Sequence, residues 1–179
     1  MRAPESFTTE RLLLRRPQLG DAPSIFERYA GDPDVTRWLG WPRHHAVTET
    51  EAFVRWADQA WTSAVCGPYL LFDRDDGRLL GSTGLDIETP WRASTGYVLA
   101  RDAWGRGYAT EATRAMAQLA DALELARLHA YCHVEHRASA RVLEKAGFAR
   151  EGVLRRFVLF PNLIDAAGPS DVECWARVR

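Results

Sequence analysis

The residues best placed to do chemistry lie between positions 99 and 112. There Leu99-Ala100-Arg101-Asp102-Ala103-Trp104-Gly105-Arg106-Gly107-Tyr108-Ala109-Thr110-Glu111-Ala112 reads as the end of a strand, a glycine-containing turn and the start of a helix. The first amides of a helix have no acceptor inside it, and the helix dipole adds positive potential at that end. A pyrophosphate can therefore sit on those amides without any lysine. Gly105 and Gly107 let the backbone come close to such a ligand, and Ala109 keeps the approach free of a bulky side chain. The competing reading is a tight turn that binds nothing. This is not a nucleotide P-loop, because no Gly-Lys-Ser/Thr follows the turn, and the third glycine of the dinucleotide fingerprint is missing.

Histidines and cysteines invite two further chemistries. His129 and His133 share one strand face, but His136 lies past the strand end, so no metal site is expected. Cys132 neighbours His133 yet points to the opposite face, which separates a nucleophile from its base. The three cysteines, Cys66, Cys132 and Cys174, are odd in number and widely spaced, against a disulfide framework and in favour of a reducing cytoplasm. No apolar run follows Met1-Arg2-Ala3-Pro4-Glu5, so no signal peptide is expected, and no stretch is long and apolar enough for a bilayer. A net charge of −1 offers no basic field for nucleic acid. The length of 179 residues, 46% hydrophobic, suits one domain, 1–179, with a core that needs no metal or disulfide.

The elements that must position these groups follow from pattern. Arg11–Arg16 reads as a strand ended by Pro17; Asp21 caps a helix that carries Pro23, Ile25, Phe26 and Tyr29 and closes at Gly31-Asp32-Pro33. A loop with Trp38 and Trp41 follows. Thr48 with Glu51 has the spacing of a capping box, opening a helix with Phe53, Trp56, Ala57 and Ala60 on one stripe. Strands are expected over 68–72, 79–87 and 96–99, with Asp75-Asp76-Gly77 turning the first hairpin. The clearest helix starts at Tyr108, with Ala109, Ala112, Met116, Leu119, Ala120 and Leu123 on one face. A strand over 128–134, a helix over 139–146 stopped by Gly147, and strands over 148–159 and 172–178 complete the chain, with a loop over 161–169. That order describes an α/β (α+β) domain: a mixed sheet with helices on both faces.

Trp104-Gly105-Arg106-Gly107-Tyr108-Ala109-Thr110-Glu111-Ala112 closely resembles the acetyl-CoA pyrophosphate loop of the GCN5-related N-acetyltransferase (GNAT) superfamily, in the branch of the ribosomal-protein N-terminal acetyltransferases. Thr9–Arg15, Gly96–Leu99 and Ser139–Phe148 resemble that branch's opening strand, fourth strand and later helix, in the expected order. The resemblance implies a mostly antiparallel sheet of about seven strands and acetyl-CoA as co-substrate, with no metal. It implies transfer to a primary amine, either a protein N-terminus or a small molecule, by a monomer or homodimer. The cofactor would meet Tyr97, Val98 and Leu99 through strand amides, then Trp104, Gly105, Arg106, Gly107, Tyr108, Ala109 and Thr110 in the loop, and His136 and Ser139 beyond. Trp104 replaces the usual Gln or Arg, a substitution common in this branch. His136 stands where an Asn usually holds the pantetheine arm. Leu143 replaces a Tyr general acid, so Ser139 is the implied proton donor to the leaving thiolate, with a helix-capping role as the alternative. Val158 stands where the ribosomal enzymes have a Glu base. An amine with a pKa near 10 is only about a thousandth neutral at pH 7, so a base is still required. Glu88, which lies with Asp86 at a strand end near the loop Thr89-Pro90-Trp91, is the nominee; solvent-facing charges are the alternative, and Glu173 is a further possibility. Trp38, Trp41 and Trp91 would form an apolar rim to the acceptor site or simply pack the protein, and Arg101, Arg106, Arg141 and Lys145 flank the loop as potential phosphate partners. The missing standard base leaves a second function open, a non-catalytic acyl-CoA-binding module.

Overall fold

The computed structural model describes residues 2–163 and 168–179. Eight strands form one sheet: β1 (Ser6–Thr8), β2 (Leu12–Arg15), β3 (Tyr69–Asp73), β4 (Leu79–Thr89), β5 (Arg92–Leu99), β6 (Arg127–His133), β7 (Ala149–Val158) and β8 (Ser170–Val178). The spatial order is β1-β2-β3-β4-β5-β6-β8-β7, and every pairing is antiparallel except β5 with β6. This is the mixed, mostly antiparallel sheet expected, one strand larger because the short β1 pairs with β2 before the first strand read from sequence. The expected loop over 161–169 falls partly outside the described residues.

Five helices cover the sheet: α1 (Ala22–Ile25, continued by a wide π-type turn, Phe26–Ala30), α2 (Pro33–Thr36), α3 (Val47–Ser63), α4 (Tyr108–Ala122) and α5 (Arg137–Lys145). One face carries α4 and α5, whose buried Ala112, Met116, Leu119 and Leu143 meet Leu80, Leu85, Ala93 and Leu128. The other face carries α1 and α3, with Ile25, Tyr29 and Val54 against Leu70, Leu79 and Val98.

Three local readings shift. Pro33 starts a short helix instead of ending one, because Asp32 accepts from the Asp34 and Val35 amides as an N-cap. Asp21 turns back to Arg15 and the Gln18 amide and leaves α1 without a side-chain cap. The third shift matters for the site. The N-cap of α3 is Ala46, and Glu49 accepts from the His45 amide, so Thr48 and Glu51 form no capping box. The buried stripe is Thr50, Val54, Ala57 and Trp61; Phe53 packs at its edge, partly buried, and Trp56 is exposed.

The feature that makes a site is a fork in the sheet. β5 and β6 pair only over Arg92–Ser94 with Arg127–His129. Beyond that, β5 stays on β4 as far as Leu99 and β6 stays on β8 as far as His133, so the two parallel strands diverge.

Candidate active site

The fork opens a cavity of about 940 Å³. Gly96, Tyr97 and Val98 line it from one arm and Ala130, Tyr131 and Cys132 from the other; Ser139 and Leu143 of α5 and Trp38 and Trp41 complete the wall. The Ala100 amide donates to Leu80 O at 2.7 Å, which marks Ala100 and Leu80 as a hydrogen-bonded pair of the β4–β5 ladder. Alternation then turns the peptide groups of Val98 and Gly96 toward β4 and those of Leu99 and Tyr97 into the fork. Thr83 Oγ1 donating to Gly96 O at 2.8 Å agrees with that direction. Backbone donors that lack a strand partner are what a ligand lying along β5 would need.

At the end of β5 the chain turns into α4. Gly105 (φ 72°) and Gly107 (φ 84°) are both left-handed, a conformation that disfavours any Cβ. Gly107 is the N-cap, so no side chain satisfies the helix start, and the first bond of the helix is Glu111 N–H to Gly107 O at 3.1 Å. The amides of Tyr108, Ala109 and Thr110 are left as donors directed outward along the helix axis.

Other residues of the motif hold this loop in shape. Glu111 accepts from Thr9 Oγ1 (2.6 Å), the Arg11 amide (2.8 Å) and Arg11 Nε (2.7 Å). Burial pushes the Glu111 carboxyl up, but the bonds from Thr9 and Arg11 outweigh it and hold the pKa below the ordinary carboxylate range. Arg11 Nη1 also donates to Arg106 O at 2.9 Å, and its guanidinium lies over the Tyr108 ring. Tyr108 turns inward and donates to Asp73 Oδ2 at 2.6 Å. Trp104 Nε1 donates to Leu99 O at 2.8 Å, so its indole braces the strand end. Arg101 is taken up by Asp32 and Asp34, at 2.7 and 2.9 Å. Arg106 and Arg141 are exposed and, among the described residues, form no ion pair.

Ser139 does not cap α5, whose N-cap is His136. Its hydroxyl lies 3.0 Å from the Tyr97 hydroxyl, and the two bridge the fork from α5 to β5. Burial pushes the Tyr97 phenol up to about 12, against a smaller downward pull from Ser139. Burial likewise raises the neighbouring Cys132 thiol to about 11, so it stays protonated at neutral pH. His136 lines the cavity and stacks on Trp38, 17° from parallel. Burial and the adjacent His133 lower its pKa to about 4, so the ring is neutral.

The carboxylates separate clearly. Glu88 is bound to Arg92 Nε at 2.7 Å and faces His129 Nε2 at 3.1 Å, and it is not part of the cavity wall. Asp86 lines the cavity and, among the described residues, makes no ion pair. Glu173 is buried and held by Arg150 and Trp175. Val158 is in the wall. Trp38 and Trp41 line the cavity, whereas Trp91 sits exposed at the β4–β5 turn; the apolar wall is completed by Phe53 and Trp56. Helical spacing alone could not separate those two from the buried stripe, because the packing partner of α3 decides which face is covered. Among the described residues no group of three potential metal ligands gathers.

Residues 11–149 match the acetyltransferase (GNAT) domain model. The chain belongs to the GNAT acetyltransferase family and is an enzyme of that class. It is 27% identical over 156 residues to the uncharacterized N-acetyltransferase p20 of Bacillus licheniformis, covering 86% of this chain and 87% of that one. It is 29% identical over 153 residues to the uncharacterized N-acetyltransferase YoaA of Bacillus subtilis, covering 84% and 86%. In fold it is similar to RimL, the ribosomal L7/L12 alpha-N-protein acetyltransferase, solved with coenzyme A (TM-score 0.83, 21% identity, 97% and 98% covered). It is also similar to the microcin C7 self-immunity acetyltransferase MccE, solved with acetyl-CoA and AMP (TM-score 0.82, 18% identity, 99% and 98% covered).

Proposed function

We propose that this protein moves an acetyl group from acetyl-CoA to a primary amine by direct attack of the amine on the thioester. The observation that carries this reading is the succession of two features along β5 and into α4. Three unsatisfied amides at the start of α4 lie at one end of the fork, and the Tyr97–Ser139 hydroxyl pair lies inside it. A diphosphate fits the first and a pantetheine arm fits the second: the loop is bare of side-chain caps, and Tyr97 and Leu99 turn peptide groups toward the gap. Proteins of similar fold are solved with coenzyme A and with acetyl-CoA.

Acetyl-CoA supplies the activated acyl group. The chain holds it and manages protons. The amides of Tyr108, Ala109 and Thr110 take the diphosphate. The Tyr97 amide stabilises the oxyanion that develops on the carbonyl. Ser139 Oγ–H donates to the departing sulfur and is itself backed by the Tyr97 hydroxyl, which stays protonated at working pH. For the base, the geometry favours Asp86 over Glu88, because Asp86 faces the cavity unpaired while Arg92 holds Glu88. His136, neutral and stacked on Trp38, walls the pantetheine path.

The test is calorimetric titration with acetyl-CoA, followed by thiol release with a panel of amines. Binding with Ser139-dependent turnover supports the reading. Absence of binding would remove it.

A further inference from the structure

Residues 37–43, between α2 and α3, carry Trp38 and Trp41 into the cavity wall. One end of this segment is tied to the β5 arm of the fork. Arg101, just past β5, donates from Nη2 to both carboxylate oxygens of Asp32, the N-cap of α2, at 2.8 and 2.7 Å. The middle of the segment reaches the other arm. Gly40 lies against the end of β7, where a Cβ would stand 3.9 Å from Leu159 O and Val158 Cγ1. The Trp38 ring meets those of His133 and His136, with centroids 4.6 and 5.6 Å away.

The backbone of this segment does little to hold itself. Leu39 N–H turns back to Thr36 O, and His44 N–H reaches Ala30 O. Among the described residues, positions 40–43 make no backbone–backbone hydrogen bond, and Pro42 has no N–H to offer. Asn162, in the loop after β7, takes the place of that missing partner. Its Nδ2 donates to Thr36 O and Trp41 O, both at 2.8 Å, and its Oδ1 accepts from the Arg43 amide at 2.8 Å. The reverse orientation would turn Oδ1 toward two carbonyls, so the network allows only this one. A side-chain amide that serves the C=O of one residue and the N–H two residues on does what a neighbouring strand would do. It acts across 119 to 126 residues of chain.

Resting on the reading of the fork as the acetyl-CoA site, we propose that Asn162 is a positioning residue. Its amide latches residues 37–43 across the fork and so holds Trp38 against His136, at the wall of the pantetheine path. The latch acts on the arm of the coenzyme and not on its diphosphate, because the amides of Tyr108, Ala109 and Thr110 sit in a loop shaped by Arg11 and Glu111.

The experiment is calorimetry on the full chain with two ligands. Acetyl-CoA has both the diphosphate and the arm; adenosine 3′-phosphate 5′-diphosphate has the diphosphate alone. Asn162→Ala is expected to weaken acetyl-CoA about tenfold, the effect of a strap closed only about a tenth of the time, and to leave the nucleotide unchanged. Asn162→Asp keeps the shape and the bond from Arg43 but sets a carboxylate oxygen against two carbonyls. It is expected to weaken acetyl-CoA at least as much, which a space-filling role would not. A readout without ligand is the His136 ring, whose pKa of about 4 rests first on burial. NMR titration of either variant should show it moving toward its ordinary value of about 6.5 as the strap opens. Equal losses for both ligands, full acetyl-CoA affinity in Asn162→Asp, or an unmoved His136 overturns the proposal. If wild type binds acetyl-CoA and the variants show no split, this inference alone falls. If wild type does not bind acetyl-CoA, the proposed function falls, and the His136 titration still judges the latch.

Discussion

Arg11 and Glu111 stand 100 residues apart in the chain and meet at the mouth of the loop. Arg11 Nε and Nη2 both reach Glu111 Oε2 at 2.7 Å, and Arg11 Nη1 reaches Arg106 O at 2.9 Å. One arginine thus ties the entry of β2 to the first turn of α4 and to the peptide between the two glycines. Glu111 sits in the first turn, where its charge also suits the helix dipole. Its oxygens are already filled by Thr9 and Arg11, which leaves the amides in front of it free.

Glu111→Gln is expected to lower stability by about 1–3 kcal/mol, toward the lower end because Arg11 is partly exposed. Acetyl-CoA affinity should fall about tenfold as the loop loosens, an effect of roughly 1.4 kcal/mol. The effect depends on pH with a definite sign. Glu111 has a depressed folded pKa, so its contribution is full above the unfolded value of about 4.3 and is lost as pH falls through the folded value. Denaturant melts at a series of pH values should show wild type and variant converging below that point; a constant gap would contradict the assignment.

Gly107→Ala places a Cβ at φ 84° and 3.4 Å from Arg11 Nη2. The left-handed conformation costs an L-residue about 1–2 kcal/mol. Acetyl-CoA binding should weaken by at least about tenfold, while Tm moves by only a few degrees. Calorimetry beside a thermal melt checks both; full affinity at wild-type Tm would show that the loop does not need glycine here.

Ser139→Ala should reduce kcat by roughly ten- to a hundredfold, at the lower end of general acid effects, with acetyl-CoA affinity retained. Tyr97→Phe removes the hydroxyl behind it and should cost less. Steady-state kinetics with measured Kd values separates the two. Unchanged turnover in Ser139→Ala would return that residue to a packing role.

Asp86→Asn is expected to depress kcat/KM by about a hundredfold and to alter the acidic limb of the pH–rate profile. Glu88→Gln should leave that limb in place, because its carboxylate serves Arg92. The reverse pattern would make Glu88 the base.

His136 has a folded pKa of about 4, below its ordinary value. Between that value and about 6.5 the unfolded chain binds the extra proton, so stability drops as pH falls through this window. His136→Gln should flatten the drop. Equilibrium unfolding of both proteins between these pH values measures it, and equal slopes would rule out the buried neutral ring.

Much of this protein was determined by local sequence. The Gly105/Gly107 turn, the α4 stripe through Ala112, Met116 and Leu119, and the hairpin at Asp75-Asp76-Gly77 all follow from period and backbone preference, which act over a few residues. The resemblance of the 104–112 segment suggests the proposed cofactor end for the same reason: the amides proposed to bind and the residues that expose them are contiguous. Tertiary structure decided everything that depends on distance in space. Only the fork between β5 and β6 sets Ser139 against Tyr97, 42 residues apart, and only packing assigns Glu88 to Arg92 and leaves Asp86 facing the cavity. The packed face of α3 was likewise set by its neighbours: Thr50, Val54, Ala57 and Trp61 are buried, while Phe53, at the core's edge, and exposed Trp56 border the cavity. Hydrogen bonds and ion pairs between remote side chains leave no period in a sequence, because their partners are chosen by the fold and not by spacing along the chain.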